Sequence, residues 1–338
     1  MLTIARNPRV FFICGSLNQT TQMHQIAGQL PDCSASFSPY YGDAFLTKMR
    51  ALGLVEQTIG GNKLRQRCLD YLTAHGLDVD MDGQRGGYDL VVTCSDVVVP
   101  KNVRRLPMVV VQEGILDPDN YLAQLVRRFP NALPRWLAGT AATGLSGLYD
   151  CFCVASEGYR EQFIANGAPA ERVVATGMPN FDDCARFLDN DFPHRGYVLA
   201  CTSDARETLK LEDRRGFIRK ALEVAGQREL FFKLHPNENV RRATAEIEAW
   251  APRARVFASG PTEHMIANGD GLVTQFSSVV FVGLALGKEV HSHHPVEMLK
   301  RLMPLQNRSA AKNIAAECRK LLSRRPRLVG NTIQREVA

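Results

Sequence analysis

Short apolar runs, each closed by a polar loop and followed by apolar residues three and four apart, recur along the chain. The first is Val10-Phe11-Phe12-Ile13-Cys14, followed by a polar loop over 15–22 and by Met23, Ile26, Ala27 and Leu30 at helical spacing. A strand that is apolar at every position is buried on both faces, so the unit reads as strand, loop and helix of a doubly wound sheet. A short strand is expected over 36–40, a helix over 43–54, and another over 62–75 with Leu64, Cys68, Leu69 and Leu72 on its apolar face. Strands are expected over 88–94, 108–111, 150–155 and 173–175, with a helix over 157–166 that Gly167 stops. The chain turns polar over 182–195, and the alternation then restarts at Gly196-Tyr197-Val198-Leu199-Ala200-Cys201.

Beyond that restart, Phe217, Ala221, Val224 and Ala225 mark a helix, and Phe231-Phe232-Lys233-Leu234 a buried strand. A helix over 243–250, strands over 255–257 and 272–274, a buried helix over 279–286 and a last strand near 290 follow. Ala311, Ile314, Ala315, Cys318, Leu321 and Leu322 mark a C-terminal helix. The expected fold class is α/β, with two facing Rossmann-like domains over 1–190 and 191–323, a basic tail over 324–338, and the active site in the cleft between the domains.

Length supports this division, since 338 residues exceed what one core usually organises. A formal charge of +6 favours anionic ligands or an anionic membrane surface. Nucleic acid is not an expected partner, because Arg and Lys are scattered and no aromatic-basic recognition motif occurs. The nine cysteines are odd in number, lack zinc spacing and sit in apolar runs, which fits reduced core thiols of a cytoplasmic protein. No apolar stretch is long enough to cross a bilayer, and the run at 10–14 is too short for a signal-peptide core. Residues 121–137 combine Leu122, Leu125, Phe129, Trp136 and Leu137 with Arg127, Arg128 and Arg135, a mixture suited to peripheral contact with the inner face of the cytoplasmic membrane. Pro130 and Pro134 interrupt any continuous helix there, so a packed loop with snorkelling arginines fits the same residues.

Candidate chemistry gathers at the carboxyl ends of the strands, where open α/β sheets bind ligands. In Phe231-Phe232-Lys233-Leu234-His235-Pro236-Asn237-Glu238-Asn239 the proline halts the strand, and Lys233 and His235, two apart, share one face and suit an anion such as a diphosphate. Thr202, Ser203 and Arg206 fall in a strand-to-helix loop, and Ser277-Ser278 precedes a helix; both loops suit a phosphate, and both also suit helix capping. Glu113, in Gln112-Glu113-Gly114 at a strand end, is the candidate general base, with bracing of its loop as the other reading. Asn18, Gln19 and His24 are candidate acceptor or sugar contacts, although Asn18 or Thr20 equally fits an N-cap. The first loop is not GxGxxG, so no dinucleotide cofactor is expected. The spacing of His291, His293 and His294 is not that of a metal site, and no metal is expected.

In this order, Gln112-Glu113-Gly114, Lys233-Leu234-His235-Pro236 and Ser277-Ser278 resemble the acidic-Gly, HP and SS motifs of bacterial polysialyltransferases and lipooligosaccharide sialyltransferases of the GT-B superfamily. Lys-x-His-Pro with a later Ser-Ser is also similar to CDP-glycerol glycerophosphotransferases and capsule Kdo transferases. Thr176-Gly177-Met178-Pro179-Asn180-Phe181-Asp182 resembles a Thr-Gly-Asn-Pro segment of non-hydrolysing UDP-N-acetylglucosamine 2-epimerases. The likeness spans most of the chain from Val10 onward. It implies a metal-independent glycosyltransferase that moves a sugar from a CMP- or UDP-sugar to a surface-polysaccharide or glycolipid acceptor. Glu113 would be the base, His235 a phosphate donor and leaving-group stabiliser, and Ser277 and Ser278 phosphate ligands. Gln112 stands where those families carry a further acid, leaving one carboxylate instead of two. The alternatives implied are a UDP-sugar 2-epimerase, whose double-Gly segment is Ser277-Ser278 here, and a non-catalytic nucleotide-sugar binding protein.

Overall fold

The computed structural model describes residues 6–39, 62–97, 99–115, 121–129, 135–207 and 212–324. Six parallel strands form the first sheet in the order β2-β1-β3-β4-β5-β6: β1 (Arg9–Ile13), β2 (Ser34–Ser38), β3 (Leu90–Thr93), β4 (Met108–Val111), β5 (Cys151–Val154) and β6 (Val173–Ala175). Five parallel strands form the second in the order β11-β10-β7-β8-β9: β7 (Tyr197–Cys201), β8 (Glu229–Lys233), β9 (Arg255–Phe257), β10 (Gly271–Thr274) and β11 (Glu289–His291). The strand order reverses between β1 and β3 in the first sheet and between β7 and β10 in the second. Those reversals open crevices at the carboxyl ends of the strands.

Burial follows the period-2 geometry of strands. Val10 and Phe12 pack on one face of the first sheet and Phe11 on the other, while Phe231 and Phe232 of β8 face opposite layers of the second. One apolar cluster runs from Phe11, Val110 and Phe152 of the first sheet to Tyr197, Leu199 and Phe231 of the second, so the halves share a core. Tyr159 on α4 (Glu157–Ala165) meets Phe281 on α8 (Val280–Ala285) at 6.2 Å between ring centres, within this shared layer. Gly158 brings α4 close to α9 (Val296–Leu302), since a Cβ there would lie 2.2 Å from the Arg301 carbonyl oxygen.

The helices between are α1 (Leu17–Gly28), α2 (Asn62–Ala74), α3 (Tyr121–Arg128), α5 (Arg214–Ala225), α6 (Val240–Trp250) and α7 (Thr262–Asn268). The expected helix over 43–54, Pro130, Pro134 and the tail beyond 324 lie outside the described residues. Asn18 and Thr20 do not cap α1; Ser16 does, its hydroxyl accepting the Gln19 N–H at 3.1 Å. No helix among the described residues is long and apolar enough to cross a membrane. In the membrane candidate, Phe129 is exposed at the end of α3.

The last described helix, α10 (Ala310–Arg324), falls in sequence with the expected 191–323 domain, one residue past its end, yet returns to the first sheet. Its Ile314, Ala315, Cys318 and Leu321 join Val10, Phe12, Leu90 and Val109 in one buried cluster. Burying Ile314 and Leu321 contributes about 2 kcal/mol each. Asp182 starts the helix by accepting the Ala310 N–H at 2.8 Å, and Asn313 donates to the Thr176 carbonyl at 3.1 Å. The Thr176 to Asp182 stretch thus anchors the returning helix, and burial raises the Asp182 carboxyl above its usual range.

Candidate active site

Glu113 follows β4 directly, and its carboxylate is held from two sides. The Ser16 hydroxyl donates to Oε1 at 2.7 Å, and Gln19 Nε2 donates to Oε2. Asn18 Nδ2 reaches the Glu113 carbonyl at 3.3 Å. These donors come from the loop after β1 and the first turn of α1, so the crevice beside β1 is what orients the acid. Gly15 makes room, because a Cβ there would lie 2.3 Å from Gln19 Oε1. Neighbouring Gln112 is buried and structural: Oε1 accepts the Ala155 N–H and Nε2 donates to the Gly114 carbonyl, both at 2.9 Å. An ionised acid at that position could not make the donating bond.

Other acids at the tips of the first sheet are already engaged. Asp96 is fully buried and accepts the N–H groups of Gly144 and Ser146, while Asp182 caps α10. Asn18 and Gln19 are therefore brought to Glu113, but His24 is not. His24 Nδ1 pairs with the Tyr71 hydroxyl at 3.0 Å, and its ring stands edge-on to His75. Burial, then the neighbouring His75, holds the His24 imidazole below its ordinary value.

In the second half the tips of β10, β7 and β8 stand side by side. Ser203 spans the reversal point, its hydroxyl 2.9 Å from Gln275 Oε1 and 3.3 Å from Glu212 Oε1. Phe276 is 44% exposed beside Ser277, with the His293 and His294 rings edge-on to it. His291 pairs with Glu289 at 2.8 Å. Neither Ser277 nor Ser278 caps the short helix α8, whose N-cap is Val279. Ser278 instead reaches the other half, where its Oγ accepts the Ile115 N–H at 2.8 Å. Gly114 permits this approach, since an added Cβ would lie 2.2 Å from Ser278 Oγ. The loop bearing Glu113 and the loop bearing the two serines are thus in direct contact.

His235 sits at the tip of β8 with 35% of its side chain exposed. Its N–H is held by Thr202 Oγ1 at 3.0 Å and Glu238 Oε2 at 2.8 Å. Thr202 also donates to Glu238, and Arg214 donates to the same carboxylate from beneath. Arg206 is less available than its loop position suggests, because it pairs with Glu246 and, at 3.4 Å, with Glu212. Lys233 does not stand beside the imidazole in the open: it is 5% exposed, and Nζ turns back to the Leu234 carbonyl at 2.8 Å. Burial holds its ammonium below the ordinary lysine value.

Sequence reasoning missed Ser16, Ile115, Arg214 and the Glu238 grip. Ser16-Leu17-Asn18-Gln19 does carry the S-x-x-Q sign of a helix start, and His235-Pro236-Asn237-Glu238 places an acid three residues after the histidine. Nothing local in the sequence marks the other two.

No protein-family model matches the chain, and no curated protein matches it in sequence. Solved structures do match. The UDP-GlcNAc 2-epimerase of Neisseria meningitidis, bound to UDP-GlcNAc, superposes with a TM-score of 0.58 at 14% identity, covering 92% of this chain and 100% of that one. The S. aureus MnaA-UDP complex gives 0.56 at 14% identity over 93% and 88% of the two chains. A variant of the wall teichoic acid polymerase TagF gives 0.52 at 11% identity over 94% and 89%. The chain accordingly has the GT-B fold of two Rossmann-like halves, an architecture on which both an epimerase and a polymerase of this kind are built.

Proposed function

We propose that the protein is a nucleotide-sugar glycosyltransferase of bacterial surface-polysaccharide type, acting in the cytoplasm on a glycan or lipid-linked acceptor. The observation that carries this reading is the contact of the Glu113 and Ser278 loops through the Ile115 N–H. It sets one oriented carboxylate against the phosphate-suited tips of the second sheet.

Glu113 takes the proton of the acceptor hydroxyl as the acceptor oxygen bonds to the sugar carbon and the bond to the phosphate oxygen breaks. Charge on the departing nucleotide is met by His235, Ser277 and the Thr202-Ser203 loop, fixed donors of the kind that lower a barrier without moving. Lys233 contributes positive charge from behind the β8 tip. Arg206, held by two carboxylates, serves its loop and not the phosphate directly.

A second reading, UDP-sugar 2-epimerisation, is favoured by the full coverage of the Neisseria enzyme. The scarcity of free carboxylates argues for transfer: among the described tips of the first sheet, Asp96 and Asp182 are spent on backbone N–H groups and Glu113 stands free of any cation. The test incubates the protein with CMP-, CDP- and UDP-sugars, with and without glycan acceptors, and follows free nucleotide and the sugar itself. Acceptor-dependent nucleotide release that falls about 100-fold or more in Glu113→Gln is expected. A new sugar epimer formed without acceptor would replace transfer by epimerisation, and full activity in both Glu113→Gln and His235→Ala would reject the site.

A further inference from the structure

His235-Pro236-Asn237-Glu238 forms a turn closed by the Glu238 N–H on the His235 carbonyl at 3.0 Å, with proline at its second position. Two side chains tighten it. The imidazole Nδ1 accepts the Asn237 N–H at 3.3 Å, taking the place that an Asn or Ser side chain takes in such turns. Glu238 folds back to accept the N–H of His235, as the acid of a capping box does. Its carboxylate is almost fully buried and is used on both sides, by Arg214 on one and by Thr202 and His235 on the other. Arg214, itself 3% exposed, also faces Glu212 at 3.3 Å and Glu246 at 3.9 Å.

We propose that Glu238, braced by Arg214, is a positioning residue that locks His235 into the tautomer with its proton on Nε2, leaving that N–H free for the ligand. A neutral imidazole has one donor nitrogen and one acceptor, and the Asn237 N–H claims Nδ1 as the acceptor. Asp204 lies 3.6 Å from Nδ1 and accepts Asn237 Nδ2 at 3.0 Å. With the backbone of His235 held by Thr202 and Glu238, the ring is presented to the Asn237 N–H, and turning it away forfeits that bond. The assignment of Nε2 to the ligand rests on the proposed function; the tautomer does not.

The test is nitrogen NMR on protein labelled at histidine, with His235 assigned by its loss in His235→Gln, together with titration of CMP, CDP and UDP. In the wild-type protein without nucleotide, His235 is expected as a single Nε2–H tautomer; an Nδ1–H form or an even mixture overturns the proposal without any variant. Glu238→Gln keeps the shape, but a carboxamide has a single oxygen, which the Arg214 cation attracts, so the amide group turns toward the His235 N–H. The expected result is a mixed tautomer and about tenfold weaker nucleotide binding. A folded Glu238→Gln protein with an unchanged His235 signal sinks the positioning role. Failure of all three nucleotides to bind, with the tautomer as expected, sinks the proposed function and leaves the lock standing.

Discussion

Replacing Gly114 with alanine introduces one methyl group where the two halves meet. The methyl would sit 2.2 Å from Ser278 Oγ and 3.2 Å from its Cβ, so something must move by about 1 Å to reach ordinary contact. Gly114 has no left-handed backbone angle, so alanine suffers the clash and no conformational strain. If Ser278 rotates away, the Ile115 N–H loses its acceptor at a cost of about 1 kcal/mol. If the loops separate instead, overpacking costs about 1–3 kcal/mol. A loss of about 2 kcal/mol and a fall in Tm of about 3 °C are expected by calorimetry. Because Ser278 is the obstacle, the same change in a Ser278→Gly background should cost at least about 1 kcal/mol less. Wild-type Tm in Gly114→Ala, or an equal loss in both backgrounds, would refute the described contact between the halves.

Three further outcomes are expected. Arg214→Met leaves Glu238 buried without its cation and Glu212 with Arg206 alone, and should lower stability by about 3–5 kcal/mol in urea titrations. Lys233→Met removes an ammonium that burial already disfavours, so stability should hold or rise by about 1 kcal/mol while the thermal shift with nucleotide shrinks. Because the folded-state pKa of His24 lies below the ordinary 6.5, the unfolded chain binds more protons there, and stability should be lost as pH falls below that value. Melting curves from about pH 7.5 to 5.5 should show that loss blunted in His24→Gln.

The strands could be read from sequence because their signal is local. Val10 to Ile13 and Leu230 to Phe232 are apolar at every position, and the sheets bury both faces. Loops that end strands could be placed for the same reason, which brought Glu113, His235 and Ser277 to strand tips. What those residues touch is set by partners far away in the chain. Ser278 meets Ile115 across 163 positions and Arg206 meets Glu246 across 40, and no short-range pattern encodes either meeting. Period 2 gives the face of a strand, not what covers it: Lys233 shares a face with His235, yet its Nζ finds a carbonyl within its own chain segment. His24 shows the same limit, since helical spacing fixes its direction on α1 but not the presence of Tyr71 on α2.

The return of α10 to the first sheet has a consequence for biosynthesis. Val10 and Phe12 are translated long before α10, the helix that completes the cover over them. Until residues 310–324 appear, the nascent amino-terminal half leaves part of that oily layer uncovered beside α1 and α2, and a fragment ending near residue 190 should clump or recruit chaperones, while adding the missing helix as a separate peptide should restore its solubility.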